Sequence, residues 1–213
     1  YRHRLYRGWA GAEAEEWVAR FGRQRVAWGS CKLWNPTDIV NPYEPTAVER
    51  DERRGTDSLY ARRSLGTLGQ AEAVYALGGG WAATDLLGRV RGSLGAVDLA
   101  VLGGKVAPST GSWMAGADVA GSLWGGNLHA EGAYTDTRLR GARWRVAAGY
   151  EYTFSAEPPL PGLKDAWVMA EYFHNGAGES DPARYQPGLL LSGREVALGR
   201  DYAGAGVQKD LHP

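Results

Sequence analysis

The chain has little of what most folds and most reactive sites are made from. No stretch of its 213 residues approaches 18 consecutive apolar positions, which excludes a membrane-crossing helix on length alone. One cysteine, Cys31, excludes an intrachain disulfide framework. Lys plus Arg and Asp plus Glu stand at 24 each, so there is no global pull toward nucleic acid or an anionic surface. Only three Phe are present, against nine Trp and eleven Tyr. Cores prefer Leu, Ile and Phe; the aromatics here are the amphipathic kind that sit where apolar meets wet.

Motifs for chemistry are equally scarce. There is no phosphate loop, HExxH, zinc spacing or GxSxG. The glycines of "LGGGWAATD" and "AGAGVQKD" lack a strand-to-helix context and read as turns and small strand residues. His3, His129, His174 and His212 are dispersed, none with a His, Cys or carboxylate at a recognised ligand spacing. Nothing near His129 or His174 marks a nucleophile. The expectation is therefore no catalysis, no metal and no cofactor.

What the sequence does carry is alternation. Leu86, Gly88, Val90, Gly92 and Leu94 alternate with Arg89, Arg91 and Ser93. The same period recurs over 112–123, where Trp113, Ala115, Ala117 and Val119 oppose Met114, Gly116 and Asp118. In 127–135 Leu128, Ala130, Gly132 and Tyr134 oppose His129 and Glu131, and in 143–154 Trp144, Val146, Ala148, Tyr150 and Tyr152 oppose Arg143, Arg145 and Glu151. Period-2 runs of about ten residues are strands with one greasy and one polar face. Weaker runs at 2–10, 15–28, 57–65, 69–77, 96–106, 165–175 and 201–211 bring the expected strands to eleven. "LGTLG", "SLGAV" and "LWGGN" read as tight hairpin turns, and longer links fall at 29–56, 155–164 and 176–200. Residues 11–20 have helical propensity, but strand-like neighbours favour a hairpin turning near Gly11 to Ala14. The fold class expected is an all-β, antiparallel, up-and-down transmembrane β-barrel of about 10–12 strands, or part of a larger one, in a single domain.

A transmembrane barrel turns its apolar face outward, a soluble one inward. Residue size favours outward, because Gly88, Gly92, Ala115, Ala117, Gly121, Ala130, Gly132 and Ala148 would leave a soluble core full of voids that lipid fills by itself. Trp9, Trp28, Trp81, Trp113, Trp124, Tyr134, Trp144, Tyr152, Phe154, Trp167 and Tyr172 fall near run ends, as interfacial girdles require.

The stretch "FGRQRVAWGSCKLWNPTDIVNPYEPTAVERDERRGTDSLYARRSL" resembles one in poorly characterised porin-like outer-membrane β-barrels of Gram-negative bacteria, at Gly22, Arg23, Gln24, Trp28, Gly29, Asn35, Pro36, Asn41, Pro42, Arg53, Arg54 and Gly55. "AEYFHNGAG" at 170–178 resembles a late strand of such barrels. The resemblance implies an outer-membrane location and a pore-like barrel, with lipid or lipopolysaccharide as surroundings, and no particular substrate. The missing leader before Tyr1 and the ending "KDLHP" depart from the pattern and suggest a fragment of a longer barrel.

These readings converge on a channel for passive diffusion of small polar solutes. Arg89, Arg91, Asp118, His129, Glu131, Arg143, Arg145, Glu151 and Glu171 are its expected lining. The loop at 29–56, with Glu49, Arg50, Asp51, Glu52, Arg53 and Arg54, is the candidate constriction, because charges at a narrowing set what passes. The alternative is a secreted, soluble β-sandwich or barrel that binds carbohydrate on Trp113, Trp124, Trp144 and Trp167.

Overall fold

Alternation builds the sheet. The structure, a computed structural model, describes residues 6–41, 55–138, 141–154, 161–191 and 197–209. It contains β1 Gly8–Glu13, β2 Trp17–Gln24, β3 Thr56–Leu65, β4 Gly69–Ala76, β5 Asp85–Leu94 and β6 Val97–Lys105, then β7 Trp113–Leu123, β8 Gly126–Thr137, β9 Gly141–Thr153, β10 Trp167–Asn175 and β11 Asp201–Gln208. Each strand pairs antiparallel with the next, so spatial order is sequence order and the sheet is a single up-and-down meander. Among the described residues β1 and β11 have no strand partner beyond β2 and β10.

The eleven expected strands are all present, with shifted ends. The first hairpin turns later than expected: Gly11 to Glu13 stay in β1 and the turn falls at 14–16. Gly11 is required there, since a Cβ would meet the Ala19 carbonyl oxygen at 2.4 Å. β2 stops at Gln24 rather than reaching Trp28.

The connections differ at the two ends of the sheet. Links 14–16, 66–68, 95–96 and 124–125 are tight, while 25–55, 77–84, 106–112 and 176–200 at the opposite end are longer. Two links depart from this division: 154–166 is long at the tight-turn end, and 138–140 is short at the other. Mostly short turns on one side and mostly long loops on the other are usual in up-and-down barrels.

Register fixes the faces. The pairs Glu72↔Arg89, Asp118↔Glu131, His129↔Gly149 and Gly149↔Glu171 put the polar residues of successive strands on one side. The opposite side carries Leu86, Val90, Leu99, Val101, Trp113, Leu128, Trp144 and Val146, all exposed. The greasy face therefore points away from the interior, and the interior belongs to the polar face.

That interior is filled by the chain leaving β2. Residues 25–41 lie across the inner face and touch strands from β3 to β11, so the sheet curls around them. Two apolar seats hold the segment. Val26, Trp28 and Val40 pack with Val74, Ala76, Leu87, Leu102, Met114 and Ala133. Farther on, Cys31 and Trp34 pack against Ala147, Phe173, Ala197 and Tyr202, with the Trp34 and Phe173 rings stacked at 5.7 Å. Each large side chain buried this way contributes about 1.5–3 kcal/mol. Trp28 is thus a correction: it is buried inside rather than placed at the rim, because β2 ends before it and the backbone turns inward.

Candidate functional site

Two carboxylates on the inner wall hold the segment by its backbone. Glu131, at the middle of β8, accepts hydrogen bonds from the amides of Ser30 at 3.2 Å, Cys31 at 2.9 Å and Thr37 at 3.0 Å, and from the Thr37 hydroxyl. Glu171, at the middle of β10, accepts from the amides of Lys32 at 2.8 Å, Leu33 at 3.0 Å and Trp34 at 2.7 Å. Both are nearly inaccessible to solvent. A buried carboxylate is costly unless its lone pairs are satisfied, and these satisfy theirs with amides that a strand ladder would otherwise have used.

The sequence folds locally to make this possible. Gly29 has φ of 99°, a region a side chain rarely adopts, and a Cβ there would lie 2.8 and 2.9 Å from the two Glu131 oxygens. The other end is tied by Asn41, whose side-chain oxygen accepts from the Val26 amide at 2.9 Å and whose amide group donates to Thr56 Oγ1 at 2.9 Å. Asn41 thus closes the base of the excursion as it returns toward β3. Burial, and after it the neighbouring Glu131 and Glu171, push the Cys31 thiol far above its ordinary range.

A second group of charges lies beside the segment. Arg89 sits between Glu72 at 3.5 Å and Asp118 at 3.0 Å, bridging β4, β5 and β7, with all three side chains buried. Such a triad is costly to desolvate and more costly to break, since removing the cation strands two acids. Around it a polar cavity of about 390 Å³ is lined by Ser64, Gln70, Arg89, Arg91, Asp98 and Asp118.

All nine expected lining residues lie on the inner face, but they do different things. Glu131 and Glu171 grip the segment, and His129 is buried with Nε2 3.2 Å from Glu171 Oε2. Arg89 and Asp118 are locked in the triad. Arg91 lines the polar cavity and is exposed. Glu151 receives a hydrogen bond from Trp167 Nε1 at 3.2 Å and pairs with Lys32 at 3.7 Å. Arg143 lies opposite Thr135, and Arg145 lies opposite Ala133 and Asn175. The inner wall is not uniformly polar, since Val74, Leu87, Leu102 and Met114 give it an apolar seat.

The expected constriction divides. Residues 30–37 meet the inner face at mid-strand and Val40 and Asn41 return to the start of β3, whereas Glu49, Arg50, Asp51, Glu52, Arg53 and Arg54 fall outside the described residues. Sequence reasoning missed Gly29, Cys31 and Thr37 as partners of the wall, and Glu72 as partner of Arg89. The available signal was two lone acids on the inner face of β8 and β10, each demanding several donors. No protein-family model matches the chain, and no curated protein and no solved structure is detectably similar to it.

Proposed function

We propose that the chain forms the wall of a porin-like β-barrel of a Gram-negative outer membrane, in which small polar solutes diffuse passively along the inner face past the 25–41 segment. One observation carries the reading: the exposed outer face is apolar across its middle and charged only at strand ends. The charged outer-face residues of the strands, Arg23, Asp57, Arg63, Lys105, Asp136, His174 and Asp201, all lie near an end of their strand. In water so large an exposed apolar surface is a liability. In lipid it is the surface a barrel needs.

Aromatic rings bound this face. Toward the long-loop end Trp113 and Tyr134 lie 5.2 Å apart, and Tyr134 and Trp144 4.8 Å. Toward the tight turns Trp17 is exposed and Tyr152 stacks edge-on against Phe154 at 5.0 Å. Trp and Tyr favour this depth because one end of each ring is apolar and the other wet. The 11 residues of β7, rising about 3.3 Å each and tilted about 40°, span about 25 Å, the height of a barrel's apolar band.

The nature of the solute follows from the wall. Arg89, Arg91, Asp98 and Asp118 mix both signs around one cavity, which favours neutral polar solutes over ions of one sign. The resemblance of "GRQRVAWG" and the Asn-Pro pairs to porin-like barrels accords with this reading.

Refolding the chain into detergent and then into liposomes tests it. The expected result is swelling in small sugars, with higher conductance when Glu131 and Glu171 are both changed to Gln. A chain that is folded and soluble without detergent, or vesicles that stay impermeable with both the wild type and the double variant, overturns the proposal.

A further inference from the structure

Three potential metal ligands from three separate elements converge where the segment meets the wall. Cys31 Sγ from the segment, His129 from β8 and Glu171 from β10 offer ligating atoms that all lie within 4.8 Å of one another. All three residues are buried. We propose that they form a binding site for one divalent cation of the zinc class, seated between the 25–41 segment and the sheet. The inference goes beyond the channel reading and does not depend on it.

Geometry and donor chemistry agree. Ligands about 2.0–2.1 Å from a tetrahedral zinc are about 3.3 Å from each other, and His129 Nε2 and Glu171 Oε2 already stand 3.2 Å apart. Thiolate, imidazole and carboxylate together are a donor set for zinc rather than for calcium or magnesium, which take oxygen alone. Glu171 is oriented by the amides of Lys32, Leu33 and Trp34, the outer support that fixes a metal ligand in place. The Glu131 carboxylate beside Cys31 adds negative charge that favours a cation. Access exists too: a polar cavity of about 260 Å³, lined by Ser30, Lys32, Asp98, Asn127, His129 and Glu151, reaches the imidazole.

Binding balances without any oxidant or reductant. The Cys31 S–H bond breaks, a sulfur–metal bond forms, and the proton leaves to solvent. The Nε2 proton that His129 shares with Glu171 passes to solvent while Nδ1 keeps or takes up one, so that Nε2 gives its lone pair to the metal and Glu171 gives an oxygen lone pair. A fourth position is left for water. The metal would tie the segment to β8 and β10 through three bonds stronger than the hydrogen bond they replace.

Cobalt(II) alone is the probe, added after chelator treatment to the full chain folded in detergent or, if it folds there, in buffer. One equivalent should bind with a near-ultraviolet thiolate-to-cobalt band that zinc abolishes. Cys31→Ser should fold, as judged by its circular dichroism, and lack the band; His129→Gln should weaken binding by about tenfold or more. As a readout free of substitutions, zinc should slow maleimide labelling of Cys31 in the wild type. A folded wild type with no thiolate band, a band that survives Cys31→Ser, or labelling unchanged by saturating zinc overturns the proposal.

Discussion

Glu131 and Glu171, on strands separated only by β9, divide the backbone of one loop between them: the first takes the amides of Ser30, Cys31 and Thr37, the second those of Lys32, Leu33 and Trp34. Glutamine at position 171 would present an NH₂ group to some of these donors instead of an acceptor. Glu171→Gln should therefore lower stability by about 2 kcal/mol or more, read as an earlier denaturant midpoint for loss of the compact form on a gel. An unchanged midpoint would mean that the segment is held by its apolar seats alone.

Gly29 separates steric from backbone effects. Gly29→Ala drives a methyl group into the Glu131 oxygens, whereas Gly66, with φ of 71° and nothing within 4 Å of an added Cβ, suffers only the backbone penalty of about 1–2 kcal/mol. Cys31 is buried where the segment meets the wall, so its labelling by a small neutral maleimide reports opening. Gly29→Ala should speed labelling about 30-fold, the equivalent of about 2 kcal/mol, and Gly66→Ala should leave it unchanged. Equal rates in the two variants would refute the idea that close packing of Gly29 on Glu131 holds the segment closed.

Val101, at the middle of the outer face of β6, is 61% exposed. On a lipid-facing surface Val101→Arg costs about 2–4 kcal/mol; on a water-facing surface it is close to neutral. Folding titrations in lipid vesicles measure which applies. A change within about 0.5 kcal/mol would contradict the membrane reading.

Arg89 holds Glu72 and Asp118 apart electrically as much as together. Arg89→Met leaves two buried acids facing each other, and should destabilise by about 3–5 kcal/mol. In planar bilayers the reversal potential under a salt gradient should move toward cation selectivity. A stable variant with an unmoved potential would show that the triad neither supports the wall nor faces the passage.

The fold was legible because period 2 is a local signal. Leu86 to Leu94 and Trp144 to Tyr152 declare their faces without knowledge of any partner, and antiparallel hairpins then fix strand order. The nine residues expected to form a lining were legible as members of one face for the same reason. Their roles were not, since Glu131 and Ser30 are about a hundred positions apart in sequence, as are His129 and Cys31, and no spacing rule reaches that far. Trp28 misled because an aromatic after a strand reads alike whether it marks a rim or turns inward. Met114 and Leu87 sit among polar inner-face residues and carry no local mark of the segment they support.

The order of the strands sets an order of assembly. Among the described residues every strand pair is between sequence neighbours, so the sheet can zip up hairpin by hairpin, with 25–55 and 176–200 as its longest closures. The 25–41 segment emerges from β2, early in the chain, yet its seat is complete only once β10 has brought Glu171 and β11 has brought Tyr202 into place. It must wait through most of folding with its amides unpaired, and its docking is a late, long-range event that records whether the wall behind it was built in register.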